Sequence, residues 1–115
     1  MSYMLLIVEP VHQRRARSPE QGRDVYQRML DYAEKLKDRG VLLASNSLRE
    51  ASVRLNVRAG RRNVVDGPFT EAKEFVGGFF LLDCGTREQA LAFAEECPAA
   101  EWATIEVREV GPCYD

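Results

Sequence analysis

Two helix starts of one design divide this chain and limit what it can fold into. Ser18-Pro19-Glu20-Gln21 places a serine at the N-cap, a proline in the first helical position and a glutamine three residues after the cap. Thr86-Arg87-Glu88-Gln89 repeats the capping box with threonine. Val25, Met29, Tyr32, Ala33 and Leu36 follow the first start at helical spacing, and Gly40 ends that helix, with Lys35, Lys37 and Arg39 at its negative end. Ala90, Phe93, Ala94 and Cys97 form the apolar face of the second helix, which Pro98 stops.

Strand-like segments flank both helices. Tyr3 to Glu9 is almost continuously apolar, as suits a central strand. Val41 to Leu48 reads as a second strand, Gly78 to Cys84 as a buried one and Thr104 to Val110 as the last. Val53, Leu55 and Val57 alternate with Arg54, Asn56 and Arg58, the pattern of a strand with one wet face. Ala59-Gly60-Arg61-Arg62 turns this strand into Asn63-Val64-Val65, and Asp66-Gly67-Pro68 breaks the backbone. Pro10 to Ala16 reads as a polar loop and Thr70 to Val76 as a short helical turn, with Glu71 supporting its positive end.

The order β-α-β, hairpin, β-α-β predicts an α+β fold. It is the ferredoxin-like split βαβ plan with an inserted β-hairpin, an antiparallel four-stranded sheet with both helices on one face. The 115 residues make one domain, 1–115. Both alternating sets of the central strands are apolar: Leu5 and Ile7 against Met4, Leu6 and Val8, and Phe79 and Leu81 against Phe80 and Leu82. The face without helices therefore needs a partner, and a homodimer packed sheet to sheet supplies it.

Composition narrows the function classes. Hydrophobic residues at 45% argue against disorder. A net charge of -2 lacks the basic footprint of a nucleic-acid binder. No apolar run has the length of a membrane span, and no basic leader precedes Met4–Val8, so a cytoplasmic protein is expected. Cys84, Cys97 and Cys113 match no zinc or redox spacing, and the first two read as core residues. Thirteen of the sixteen basic residues are arginine. Arg14, Arg15 and Arg17 share one loop, either as solvated charge or as an anion-recognition site.

Asp66 is the main candidate for chemistry, as a base or a ligand acceptor held by Gly67 and Pro68. Its structural reading is a turn-forming aspartate. His12 has the one side chain that ordinarily titrates near neutrality. It pairs with Asp66 as a second catalytic candidate if its loop folds over a cleft. Tyr3, Asp66, Phe69 and Lys73 are the candidate ligand-binding residues. Phe69 also reads as a loop anchor, Lys73 as exposed, and Trp102 as a core or interface residue. Gly77-Gly78 leads into a strand and is no phosphate-binding fingerprint. No metal-ligand cluster is visible and no cofactor is implied.

Several segments together resemble the YCII-related family, and within it the DGPF-domain proteins. They are Tyr3-Met4-Leu5-Leu6-Ile7, Ser18-Pro19-Glu20, Gly40-Val41-Leu42, Asp66-Gly67-Pro68-Phe69, Lys73-Glu74, Gly77-Gly78-Phe79, Cys97-Pro98-Ala99-Ala100 and Ile105-Glu106-Val107-Arg108. The resemblance implies a dimeric α+β barrel with a cleft between helix, sheet and hairpin. It also implies a histidine on the first helix, suggested to act with an aspartate. Here that position is Met29, so the pair is missing in its expected form. The expectation is a protein that binds a small polar molecule, with or without acid/base chemistry. The alternative is a regulatory or interaction module, since DGPF-type proteins resemble products encoded beside extracytoplasmic-function sigma factors.

Overall fold

A computed structural model describes residues 1–114. Strand β1 (Ser2–Pro10) leads through a helical turn, α1 (Gln13–Ala16), into the long helix α2 (Pro19–Asp38). Strand β2 (Leu42–Ser47), the hairpin β3 (Val53–Arg58) and β4 (Arg61–Asp66), and strand β5 (Glu74–Asp83) follow. Helix α3 (Arg87–Glu96), a 3-10 turn (Pro98–Glu101) and strand β6 (Thr104–Glu109) complete the chain.

The main sheet has the order β2-β5-β1-β6, with every neighbouring pair antiparallel. β1 and β2 therefore run parallel on either side of β5, and β5 and β6 run parallel on either side of β1. Each parallel pair is joined through a helix, which is the split βαβ plan. Both capping boxes form as the sequence predicts: Ser18 with Gln21 and Thr86 with Gln89 bond reciprocally.

The core lies between the sheet and the two helices. Tyr3, Leu5 and Ile7 of β1 meet Phe80 and Leu82 of β5, Tyr32 and Leu36 of α2, and Ala90 and Ala94 of α3. Tyr32 packs edge-on against Phe80, with ring centroids 5.1 Å apart, and its hydroxyl donates to the Phe93 carbonyl at 2.5 Å. Cys84 and Cys97 are buried and free. On the opposite face Met4, Leu6, Val8, Phe79 and Leu81 are half-buried.

Three local expectations are corrected. Residues Thr70 to Val76 do not form a helical turn: a tight turn closes from Phe69 to Ala72, and β5 begins at Glu74. Glu74 pairs with Pro10, and Val11 N–H donates to the Lys73 carbonyl at 2.9 Å, so the ladder claims this backbone. The loop after β1 contains the helical turn α1. The hairpin β3–β4 has two wet faces, not one, with Leu55 57% and Val57 56% exposed. It stands off the main sheet as a separate ribbon. The radius of gyration is accordingly 16.0 Å, against about 13 Å for a compact chain of this length.

Candidate functional site

The two halves of α2 do different work. Tyr32 and Leu36 seal the core. Nearer the N-terminus, Gly22, Val25, Tyr26, Met29 and Leu30 border a cavity of about 410 Å³ between helix and sheet. Ile7, Gly78 and Phe80 line its sheet side, Ser45 and Ser47 of β2 one flank, and Trp102 is also in its wall. Glu9 and Arg14 form its polar end.

Glu9 is in phase with Tyr3, Leu5 and Ile7, so its side chain points inward, and it is only 5% exposed. A carboxylate so placed needs full hydrogen bonding. Arg14 supplies it from α1: Nε donates to Oε1 at 3.0 Å and an Nη to Oε2 at 2.6 Å, a two-pronged ion pair. The same guanidinium donates to the Leu48 carbonyl at 2.7 Å and the Gly77 carbonyl at 3.1 Å. Arg14 thus ties β1, the end of β2 and β5 together, and its Cζ lies over the Phe75 ring, 5.0 Å from the centroid.

The paired glycines make room for this arrangement. The β1–β5 register shifts between Ile7 and Val8, so Gly77 falls outside the pairing as a bulge. A Cβ on Gly77 would coincide with the Glu9 carboxylate, and one on Gly78 would stand 3.0 Å from the Asn46 carbonyl oxygen. Close approach of side chain and backbone therefore explains both glycines.

Arg17 also lines the cavity. Its guanidinium lies 5.7 Å from the Trp102 ring centroid and donates to Gln13 Oε1 at 3.2 Å. Gln13 in turn donates to the Trp102 carbonyl at 2.8 Å, which fixes the α1 turn to the Trp102 segment. Arg28 lies over the same ring at 5.2 Å but is paired with Glu101 at 2.8 Å.

The residues singled out from sequence stand elsewhere. Asp66 is exposed at the end of β4, opposite Val53. His12 is exposed, has a left-handed backbone (φ 76°) and touches Arg15. Tyr3 is buried in the core, and Lys73 is exposed. Phe69 is half-buried beneath the Arg54 guanidinium, 3.8 Å from its ring centroid. None of these five borders the cavity. Met29, at the position of the helix histidine that the resemblance implies, does border it. Sequence reading missed Glu9 and Arg14 as a pair, although a charged residue in the inward phase of β1 was a readable signal. Among the described residues no group of three or more His, Cys, Asp or Glu is placed to hold a metal ion. No helix there is long and apolar enough to cross a membrane.

The profile of the YCII-related domain matches residues 1–113. The chain belongs to the YCII-related family. An uncharacterised protein of Rhizobium meliloti (strain 1021) is 43% identical over 54 residues, which are 47% of this chain and 44% of that protein. The chain thus spans less than half the length of this curated relative. Among solved structures, 5-chloro-2-hydroxyhydroquinone dehydrochlorinase from Burkholderia phenoliruptrix AC1100, in complex with 2,5-dihydroxybenzoquinone, shares the fold with a TM-score of 0.57. The superposition covers 96% of this chain and 94% of the enzyme at 17% identity. A YCII-related chain can therefore share its fold with an enzyme while holding methionine where the family resemblance implies histidine.

Proposed function

We propose that this YCII-related protein binds a small organic molecule in the cavity between α2 and the sheet. The observation that carries this reading is the cavity itself: about 410 Å³, with apolar walls from Ile7, Val25, Met29 and Phe80 and a buried Glu9 held by the two-pronged bond from Arg14 at one end. Apolar walls with few convergent polar groups are what ligand sites present. Ser45, Ser47 and Tyr26 add hydroxyls that can orient an oxygenated ligand. The dehydrochlorinase of the same fold, in complex with a dihydroxybenzoquinone, supports a ring-sized occupant. The reading is one of binding. Glu9 has both oxygens engaged by Arg14, and Met29 offers no proton.

The test is a thermal-shift screen of single-ring phenols, hydroxyquinones and ring carboxylates against the native chain and Gly22→Leu. A Cβ at Gly22 meets nothing within 4 Å, yet Gly22 borders the cavity. Leucine there keeps the fold, gains helix propensity and fills the ligand space. Compounds that raise the melting temperature of the native chain, as a native-state ligand must, are expected to lose that effect in Gly22→Leu. Equal shifts in both proteins would place the ligand elsewhere and end this reading.

A further inference from the structure

We infer that the cavity selects a monoanion, a carboxylate on a small apolar body, and that Arg17 is the residue that reads its charge. This rests on the cavity reading above and adds the chemical class of the ligand.

The argument is a charge count. The charged side chains lining the cavity are Glu9, Arg14 and Arg17. Glu9 and Arg14 cancel through their two-pronged bond, which also uses four of the five Arg14 donors once the Leu48 and Gly77 carbonyls are included. Arg17 is left over. It is half-buried, and among the described residues no carboxylate pairs with it. Among the described residues its one side-chain bond is a donation to neutral Gln13 Oε1, which leaves most of its donors without a partner there. Arg28, over the same Trp102 ring, is neutralised by Glu101. The lining thus carries one uncompensated positive charge, held beside an indole face and apolar walls.

Ligand charge follows from that excess. A neutral ligand would leave Arg17 partly desolvated without a counter-charge. A phosphate dianion would leave one negative charge too many beside the buried Glu9 carboxylate. A monoanion balances the site, and a planar carboxylate fits the fork of a guanidinium. The apolar wall of Val25, Met29 and Phe80 then takes the rest of the molecule.

Trp102 is the single tryptophan of the chain and lines the cavity, so its fluorescence reports occupancy. Benzoate and cyclohexanecarboxylate are titrated against benzamide and cyclohexanecarboxamide, which match them in shape but carry no charge. The native chain should bind the acids about tenfold or more tightly than the amides, as a charge-assisted bond implies. Arg17→Gln should bring acid and amide affinities together, and Arg17→Lys should keep much of the preference. Equal affinity for acid and amide in the native chain, with binding of both lost in Gly22→Leu, would overturn the charge inference and leave the cavity reading standing. An acid preference undiminished in Arg17→Gln would overturn the role of Arg17. Failure of all four probes to change the fluorescence or the melting temperature would overturn the inference together with the cavity reading for ring-sized ligands.

Discussion

The Glu9 carboxylate occupies the space that a Cβ on Gly77 would fill. One residue faces inward from β1 and the other is the bulge of β5, and each requires the other's form. Gly77→Ala must displace Glu9, and its Cβ would also stand 2.6 Å from an Arg14 nitrogen. The expected loss is roughly 2–4 kcal/mol, from overpacking and a disturbed ion pair. Adding Glu9→Ala should recover part of that loss, because the two sites share one space. Chemical denaturation of the two single variants and the double variant measures it, and strict additivity would contradict the geometry.

Removing Arg14 is expected to cost more than removing the charge of Glu9. Arg14→Met strands a carboxylate that is only 5% exposed and frees the Leu48 and Gly77 carbonyls. Arg14 keeps about a third of its side chain in water, so the expected loss is roughly 2–4 kcal/mol rather than the full cost for a dry pair. Glu9→Gln should lose about half as much, since Arg14 can still donate to the amide oxygen and turn its charge to solvent. Urea midpoints at neutral pH compare the two, and the reverse ranking would show that Arg14 is not the anchor.

The frame of the fold was legible because its signals are local. Capping boxes at Ser18 and Thr86, the apolar run of β1 and the period-two alternation of β3 and β6 need no tertiary information. The Asp66-Gly67-Pro68-Phe69 segment also stood out, but as a turn its chemistry says little about where it lies. The site was harder to see. It joins Glu9 and Arg14, only five residues apart, to Gly77 and Ser47, which are distant in the chain, and only the β1–β5 register and the α1 turn bring them together. The turn at Thr70 misled because threonine followed by acidic residues is a helix-start pattern, while pairing of Glu74 with Pro10 decides the structure.

A homodimer is expected through the face of the sheet that the helices leave uncovered. Met4, Leu6, Val8, Phe79 and Leu81 form a continuous apolar surface there, and β6 adds Glu106 opposite Leu6 and Arg108 opposite Met4. Two-fold packing lets the Glu106 and Arg108 of one copy meet their opposites in the other, a self-complementary rim. Light scattering at micromolar concentration should give about twice the 13.0 kDa chain mass, and Leu6→Lys should give the single mass with its helical content intact. A native chain that runs as a monomer would refute this assembly.

Alkaline instability is expected from two buried acids. Burial pushes the Cys97 thiol from 9.0 up to about 11. Burial also pushes the Tyr32 phenol well above its ordinary value of 10.0, with Cys97 and Glu96 adding to the rise. A folded-state pKa above the unfolded one means that folding favours the protonated form. The stabilisation is therefore complete below about pH 9 and is lost as pH rises toward 11, with Tyr32 extending the loss beyond that. For Cys97 alone the expected contribution is about 3 kcal/mol, as a rise from 9.0 to about 11 implies. Melting temperatures from pH 7 to 11 should fall steeply above pH 9 in the native chain. In Cys97→Ala the starting temperature should be lower, from the lost methylene-sized volume and sulfur contacts, and the fall between pH 9 and 10 shallower. An identical slope in both proteins would remove Cys97 from the alkaline transition and leave it to Tyr32 and the surface charges.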